Sequence, residues 1–209
     1  MNRNLPSIFS GIAFLFFVGW LGFVAYPYLQ LGRMKPFVDS DGSLPPFYSG
    51  RAVLGAQVYA MSGCVYCHSQ QIRQTSVTSS DIDRKWAKRS SVARDYLRDR
   101  TAFLGTQRLG PDLSNVGLRL PSAPWHYEHL YEPTCLVEDS TMPSYRYLFK
   151  LQKIEGEPSL DAISLYGSHA PQKGYEVVPT EDAKNLVAYL LSLKHDYMLP
   201  EVPPVKSNE

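Results

Sequence analysis

The sequence predicts an all-α chain, with a single N-terminal transmembrane helix followed by a helical domain with long loops. Three observations carry this. No charged residue stands between Arg3 and Arg33. Two later segments, Gly50 to Gly63 and Thr180 to Leu193, place apolar residues at helical spacing. Sixteen prolines among 209 residues argue for long irregular connections.

The anchor comes first in the chain. From Ile8 to Val24 it is nearly all apolar and rich in Phe, and a helix needs roughly 20 such residues to cross a bilayer core. Trp20, Tyr26 and Tyr28 suit the far interface. The competing reading is a cleaved secretory signal. The stretch is longer than a typical signal core, and a cut after Ala25 would put bulky Phe23 at the −3 position. A retained anchor is therefore expected. Arg3 on one side and Arg33 with Lys35 on the other leave orientation undecided by charge alone.

The expected organisation is an anchor over residues 1–33, a Pro-containing linker over 34–49, a helical domain over 50–196 and a disordered tail over 197–209. Within the domain, Val53, Leu54 and Val58 mark one face of a first short helix. A polar, partly helical excursion runs from Gln70 to Gly110, and Lys150 to Val178 is an insertion of ambiguous structure. The last helix has Thr180 as N-cap, Glu181 and Asp182 in its first turn, and an apolar face of Ala183, Leu186, Val187 and Leu190. The net charge of +1 gives no bulk field for nucleic acid. Three cysteines are too few for a disulfide scaffold.

Two of those cysteines define the chemistry. Cys64-Val65-Tyr66-Cys67-His68 is the c-type haem attachment pattern. Its two thiols add to the haem vinyls as thioethers, and the adjacent histidine is placed over the iron as proximal ligand. A thioredoxin-like pair would need a βαβ context, and a zinc site would need a second cysteine pair, so both compete poorly. Covalent haem attachment belongs to the outer side of a bacterial cytoplasmic membrane. That sets the N-terminus inside and the haem domain on the outer, periplasmic side.

A six-coordinate haem needs a second axial ligand. Met142, Met198, His126, His129, His169 and His195 are the candidates. Met142 is favoured because Ser140-Thr141-Met142-Pro143 forms a turn that aims the side chain, and a thioether raises the reduction potential. A proximal histidine donates its other ring N–H to a fixed acceptor. The carbonyl of Pro111 in Gly110-Pro111-Asp112-Leu113 suits that role, with Leu113 packing on the haem face.

Taken in order, these segments resemble the mono-haem subunit (subunit II) of cbb-type cytochrome c oxidases, the C-family haem–copper oxidases. The resemblance runs through Gly63 to Gln70, Ile72-Arg73, Gly105 to Leu113, Val116-Gly117, Trp125-His126, His129-Leu130, Ser140 to Tyr145 and Leu186 to Leu190. Arg84-Lys85-Trp86 and Leu104-Gly105 depart from the family's Arg-Tyr-Gly and Trp-Gly runs, and Leu109 stands where threonine is common. The resemblance implies that His68 and Met142 ligate the iron and that Pro111 supports His68, and it makes Arg108 and Trp125 candidates for contacts with the propionates. It implies a non-catalytic relay within a proton-translocating oxidase. Its partners would be a membrane-embedded haem–copper catalytic subunit and a c-type cytochrome electron donor. A nitric oxide reductase small subunit and a stand-alone membrane-tethered shuttle are the rival readings.

Two features stay outside this scheme. Residues 84–108 hold basic residues at 84, 85, 88, 89, 94, 98, 100 and 108 against Asp95 and Asp99. A solvated helix face is the plainer reading, and a docking surface for an acidic partner or the propionates the sharper one. Cys135 has no cysteine left to pair with and is expected to be a buried free thiol.

Overall fold

The computed structural model describes residues 4–40, 42–73 and 81–202. The chain divides into two compact units. One comprises residues 1–45 with Ala93–Asp99, and the other comprises Pro46–Val92 with residues 100–209.

The first unit opens with a helix over Leu5–Leu31, long and apolar enough to cross a membrane and with none of its residues buried among the described residues. At 1.5 Å per residue its 27 residues span about 40 Å, more than a hydrocarbon core. The helix is not uniform. Regular α1 (Leu5–Trp20) passes through a π-helical turn at Leu21–Ala25 into α2 (Tyr26–Leu31). Pro27 is the reason, because it has no N–H and its ring crowds the carbonyl four residues back. Beyond the helix, β1 (Phe37–Asp39) and β2 (Gly42–Leu44) pair antiparallel. Ala93–Asp99 is laced to this ribbon. Arg98 donates to the Pro45 carbonyl (2.6 Å) and to Ser43 Oγ (2.8 Å), and Arg94 donates to the Lys35 carbonyl.

The second unit is organised by two helices, α3 (Gly50–Met61) and α6 (Glu181–Ser192). Each begins on a side-chain cap: Ser49 Oγ accepts from the Ala52 amide, and Thr180 Oγ1 from the Ala183 amide. The helices meet at Gly55, where a Cβ would stand 1.9 Å from the Asn185 carbonyl oxygen. Tyr48, Tyr59, Phe103 and Tyr189 wrap this crossing with edge-on and tilted ring contacts. Leu186, Leu193 and Tyr59 are fully buried. Short helices α4 (Val116–Arg119) and α5 (Ala123–Tyr131) complete the helical frame.

The chain is mostly helical, but the all-α expectation needs correction. Besides the first unit's ribbon, β3 (Phe149–Lys153) and β4 (Tyr175–Pro179) pair antiparallel with Phe149 opposite Pro179. The ambiguous insertion is thus a hairpin with a long connection. Val177 is buried on its inner side, while β3 is exposed after Phe149, so the sequence shows no clean alternation there. Within described residues 81–115 no α-helix forms, only a 3₁₀ turn at Ala93–Tyr96. The basic residues therefore line irregular chain rather than a helix face. Of the expected tail, Tyr197 accepts from Arg89 and Leu199 is buried, while residues 203–209 lie outside those described.

Candidate functional site

Gly63 ends α3 in a left-handed conformation (φ 74°), and the chain turns at once into a 3₁₀ turn over Cys64–Tyr66. The amides of Cys67 and His68 both donate to the Cys64 carbonyl, at 3.2 and 2.9 Å. One tight turn thus carries both thiols and the imidazole. Cys64 is buried, and burial pushes its thiol up to about 11.

A second segment closes on this turn from 43 residues away. His68 Nδ1 lies 2.8 Å from the Pro111 carbonyl oxygen. A carbonyl only accepts, so Nδ1 carries the proton and Nε2 keeps a free electron pair. Burial lowers the His68 pKa, which keeps the ring neutral. Gly110 lies against the same ring; a Cβ there would meet Cε1 at 2.2 Å. The two strands of chain are stitched by backbone bonds: Gly110 N to Cys67 O (3.0 Å), Leu113 N to Ser69 O (2.8 Å) and Gln70 N to Leu104 O (3.3 Å).

Beneath the stitches lies an ionic network that the sequence did not disclose. Asp112 is fully buried and accepts from Ser69 Oγ (2.6 Å), the Gln71 amide (2.8 Å) and the Ser114 amide (2.8 Å). Arg108 donates to Ser69 Oγ (2.8 Å), the Gln71 carbonyl (2.5 Å) and Asp81, with Asp112 3.6 Å away. Its guanidinium also lies over Trp86, which Arg84 approaches as well. Asp112 was legible only as a turn residue, and Asp81 carried no signal.

The remaining expected site residues lie as follows. Met142 and Leu113 are half-buried and pack on the core cluster that includes Cys64. Trp125 stacks on His129 at 4.7 Å. His126 is buried with Nε2 2.9 Å from the Leu120 carbonyl. His129 has a buried Nδ1 with no hydrogen-bond partner among the described residues, and burial, with His126 and His68 nearby, pushes it down to about 4. His169 lines a cavity with Cys135 and Glu128, His195 packs beside Tyr197, and Met198 is half-exposed. Cys135 is a free, half-buried thiol. Of the basic segment, Arg89, Arg94, Arg98 and Arg108 are engaged by carbonyl and carboxylate partners, which thins the charge available for docking.

A turn bearing two thiols and a histidine with a fixed tautomer, behind an apolar helix able to cross a membrane, has the make-up of a membrane-anchored c-type cytochrome. The family model described as "Cytochrome C oxidase, mono-heme subunit/FixO" matches residues 34–164, and the chain belongs to that family. It is thus the mono-haem cytochrome c subunit of a cbb3-type oxidase, working in electron transfer. No curated protein matches the chain.

Proposed function

We propose that this subunit relays single electrons through one covalent haem c to the membrane-embedded haem–copper subunit that reduces oxygen, and that a c-type cytochrome supplies them. The residues fit the group. The thiols of Cys64 and Cys67 are unpaired, and His68 presents Nε2 while Nδ1 is engaged. The His68–Pro111 hydrogen bond is the observation that carries the reading, since it is the support a proximal ligand needs. Haem supplies a one-electron Fe(III)/Fe(II) couple when bound.

The chain's own residues do the rest. Cys64 and Cys67 would hold the group covalently, and His68 and Met142 would bind its metal. Pro111 orients the His68 ring, and Leu113 would pack against the haem. Trp125 sits beside the histidines and suits a propionate contact. Arg108 would reach a propionate only with donors its ionic network leaves over. The anchor is retained and single-pass, with the domain from about residue 50 on the outer, periplasmic side of a bacterial cytoplasmic membrane.

Covalent haem staining and the spectrum of the reduced protein, after expression with c-type maturation machinery, test this directly. A product without bound haem sinks the reading. Met142→His should lower the reduction potential strongly, and an unchanged potential rejects Met142 as ligand.

A further inference from the structure

The loop that carries Met142 leaves α5 at Glu132 and returns to the core at Tyr145. Its two ends run side by side. The Tyr145 amide donates to the Leu130 carbonyl (2.8 Å), and the Arg146 guanidinium lies over the Tyr131 ring. The third rung is the richest. Glu132 Oε2 accepts from Ser144 Oγ (2.9 Å) and Arg146 Nη2 (2.6 Å), while Oε1 accepts from Thr134 Oγ1 (2.8 Å). Ser144 is two residues past Met142, so this carboxylate grips the chain where the methionine leaves it. At the other end the Met142 amide bonds Ser140 Oγ (3.3 Å) and the Ser140 amide bonds the Val137 carbonyl (3.0 Å), contacts local to the loop.

We propose that Glu132 is a positioning residue for the distal ligand: by clamping Ser144 and Arg146 to the end of α5 it closes the methionine loop and holds the Met142 thioether at the iron. The proposal rests on Met142 being that ligand. The clamp acts through entropy. A loop held by few core contacts samples many conformers, and each tie at its base removes some of them. The Glu132 side chain is only 12% exposed although that of Arg146 is 55% exposed. Hydrogen bonds from Thr134, Arg146 and Ser144 hold its carboxyl at about 2, so the clamp is ionised throughout the physiological range.

The test uses the full-length holoprotein and imidazole as a probe, since imidazole binds ferric haem only where the thioether has let go. Glu132→Gln should raise imidazole affinity about fivefold, the size expected for a partly exposed charged pair. Arg146→Gln should act in the same direction. The thioether-to-iron absorption band in the red should weaken in step. Glu181→Gln breaks the exposed Arg51–Glu181 pair (3.0 Å) away from this loop and should leave affinity unchanged. Equal affinities for wild type and Glu132→Gln, or an equal rise with Glu181→Gln, would overturn the clamp. If Met142→Ala binds imidazole no more tightly than wild type, Met142 is not the ligand, and the reading beneath the proposal falls with it.

Discussion

Gly110 lies against the imidazole of His68, so close that a methyl group at its Cα would stand 2.2 Å from Cε1 and 2.7 Å from Nδ1. No rotamer change at position 110 relieves that contact, because the intruding atom would be a Cβ. The ring itself would have to move, and moving it breaks the bond to Pro111. Gly110→Ala should therefore keep its covalent haem yet show a raised reduction potential and a high-spin ferric fraction. Redox titration and absorption spectra of the purified variant check this. A spectrum and potential equal to wild type would show that the ring has slack.

Arg108 sits between two buried carboxylates, Asp81 at 1% and Asp112 at 0% side-chain exposure. Removing the cation leaves both carboxylates buried without their counter-charge, although backbone amides still donate to each. Arg108→Gln is expected to cost about 3–5 kcal/mol, the range for breaking one side of a buried pair. Adding Asp81→Asn should restore part of the loss, so the double variant should cost less than the sum of the singles. Denaturant unfolding of the three variants measures the coupling. Additive losses would mean that Arg108 stabilises the protein through some other contact.

Acid should destabilise the protein in two stages. Burial lowers the pKa of His126, against the opposing pull of the Leu120 carbonyl, and takes His129 down to about 4. In the unfolded chain both titrate near 6.5, so below that pH the unfolded state binds more protons and stability drops as pH falls from about 6.5 toward 4. Glu132 acts later. Its folded value of about 2 lies below the ordinary 4.5, so its contribution is complete above 4.5 and lost as pH falls toward 2. Melting temperatures of the holoprotein across this range should show His129→Gln flattening the first stage and Glu132→Gln only the second.

Gly55→Ala tests the frame. With a Cβ 1.9 Å from the Asn185 oxygen and 2.7 Å from the Tyr189 Cβ, α3 and α6 would have to separate. A loss of about 3 kcal/mol or more is expected, at the upper end for overpacking, because backbone rather than a flexible side chain stands in the way. Gly50→Ala, with nothing within 4 Å, is the control and should be near neutral. Thermal unfolding of the two variants decides it.

Several of these features are legible in the sequence. The helix end at Gly63, the helix start at Thr180, the apolar anchor and the spacing from Cys64 to His68 are local properties, written in neighbouring residues. The Pro111 carbonyl is legible too, because a proximal histidine needs an acceptor and a rigid loop is at hand. Glu132 is not. Its partners stand at positions 144 and 146, and nothing in a lone glutamate after a helix signals where the returning chain will pass. The same holds for Asp81, whose role depends on Arg108, 27 residues on.

By itself the sequence determined the features that arise from short-range covalent and periodic order. These are an apolar helix long enough for a bilayer, two helices with readable ends, and a turn that presents two thiols and an imidazole together. Only the tertiary structure decided the features that need distant segments to meet. It made a hairpin of the insertion and turned half of the basic segment into struts for carbonyl and carboxylate oxygens. It also set Gly110 against His68 and Glu132 beneath the methionine loop. The reason is physical: a buried charge or a bare Cα is tolerated only where a particular partner arrives, and packing brings that partner from tens of residues away.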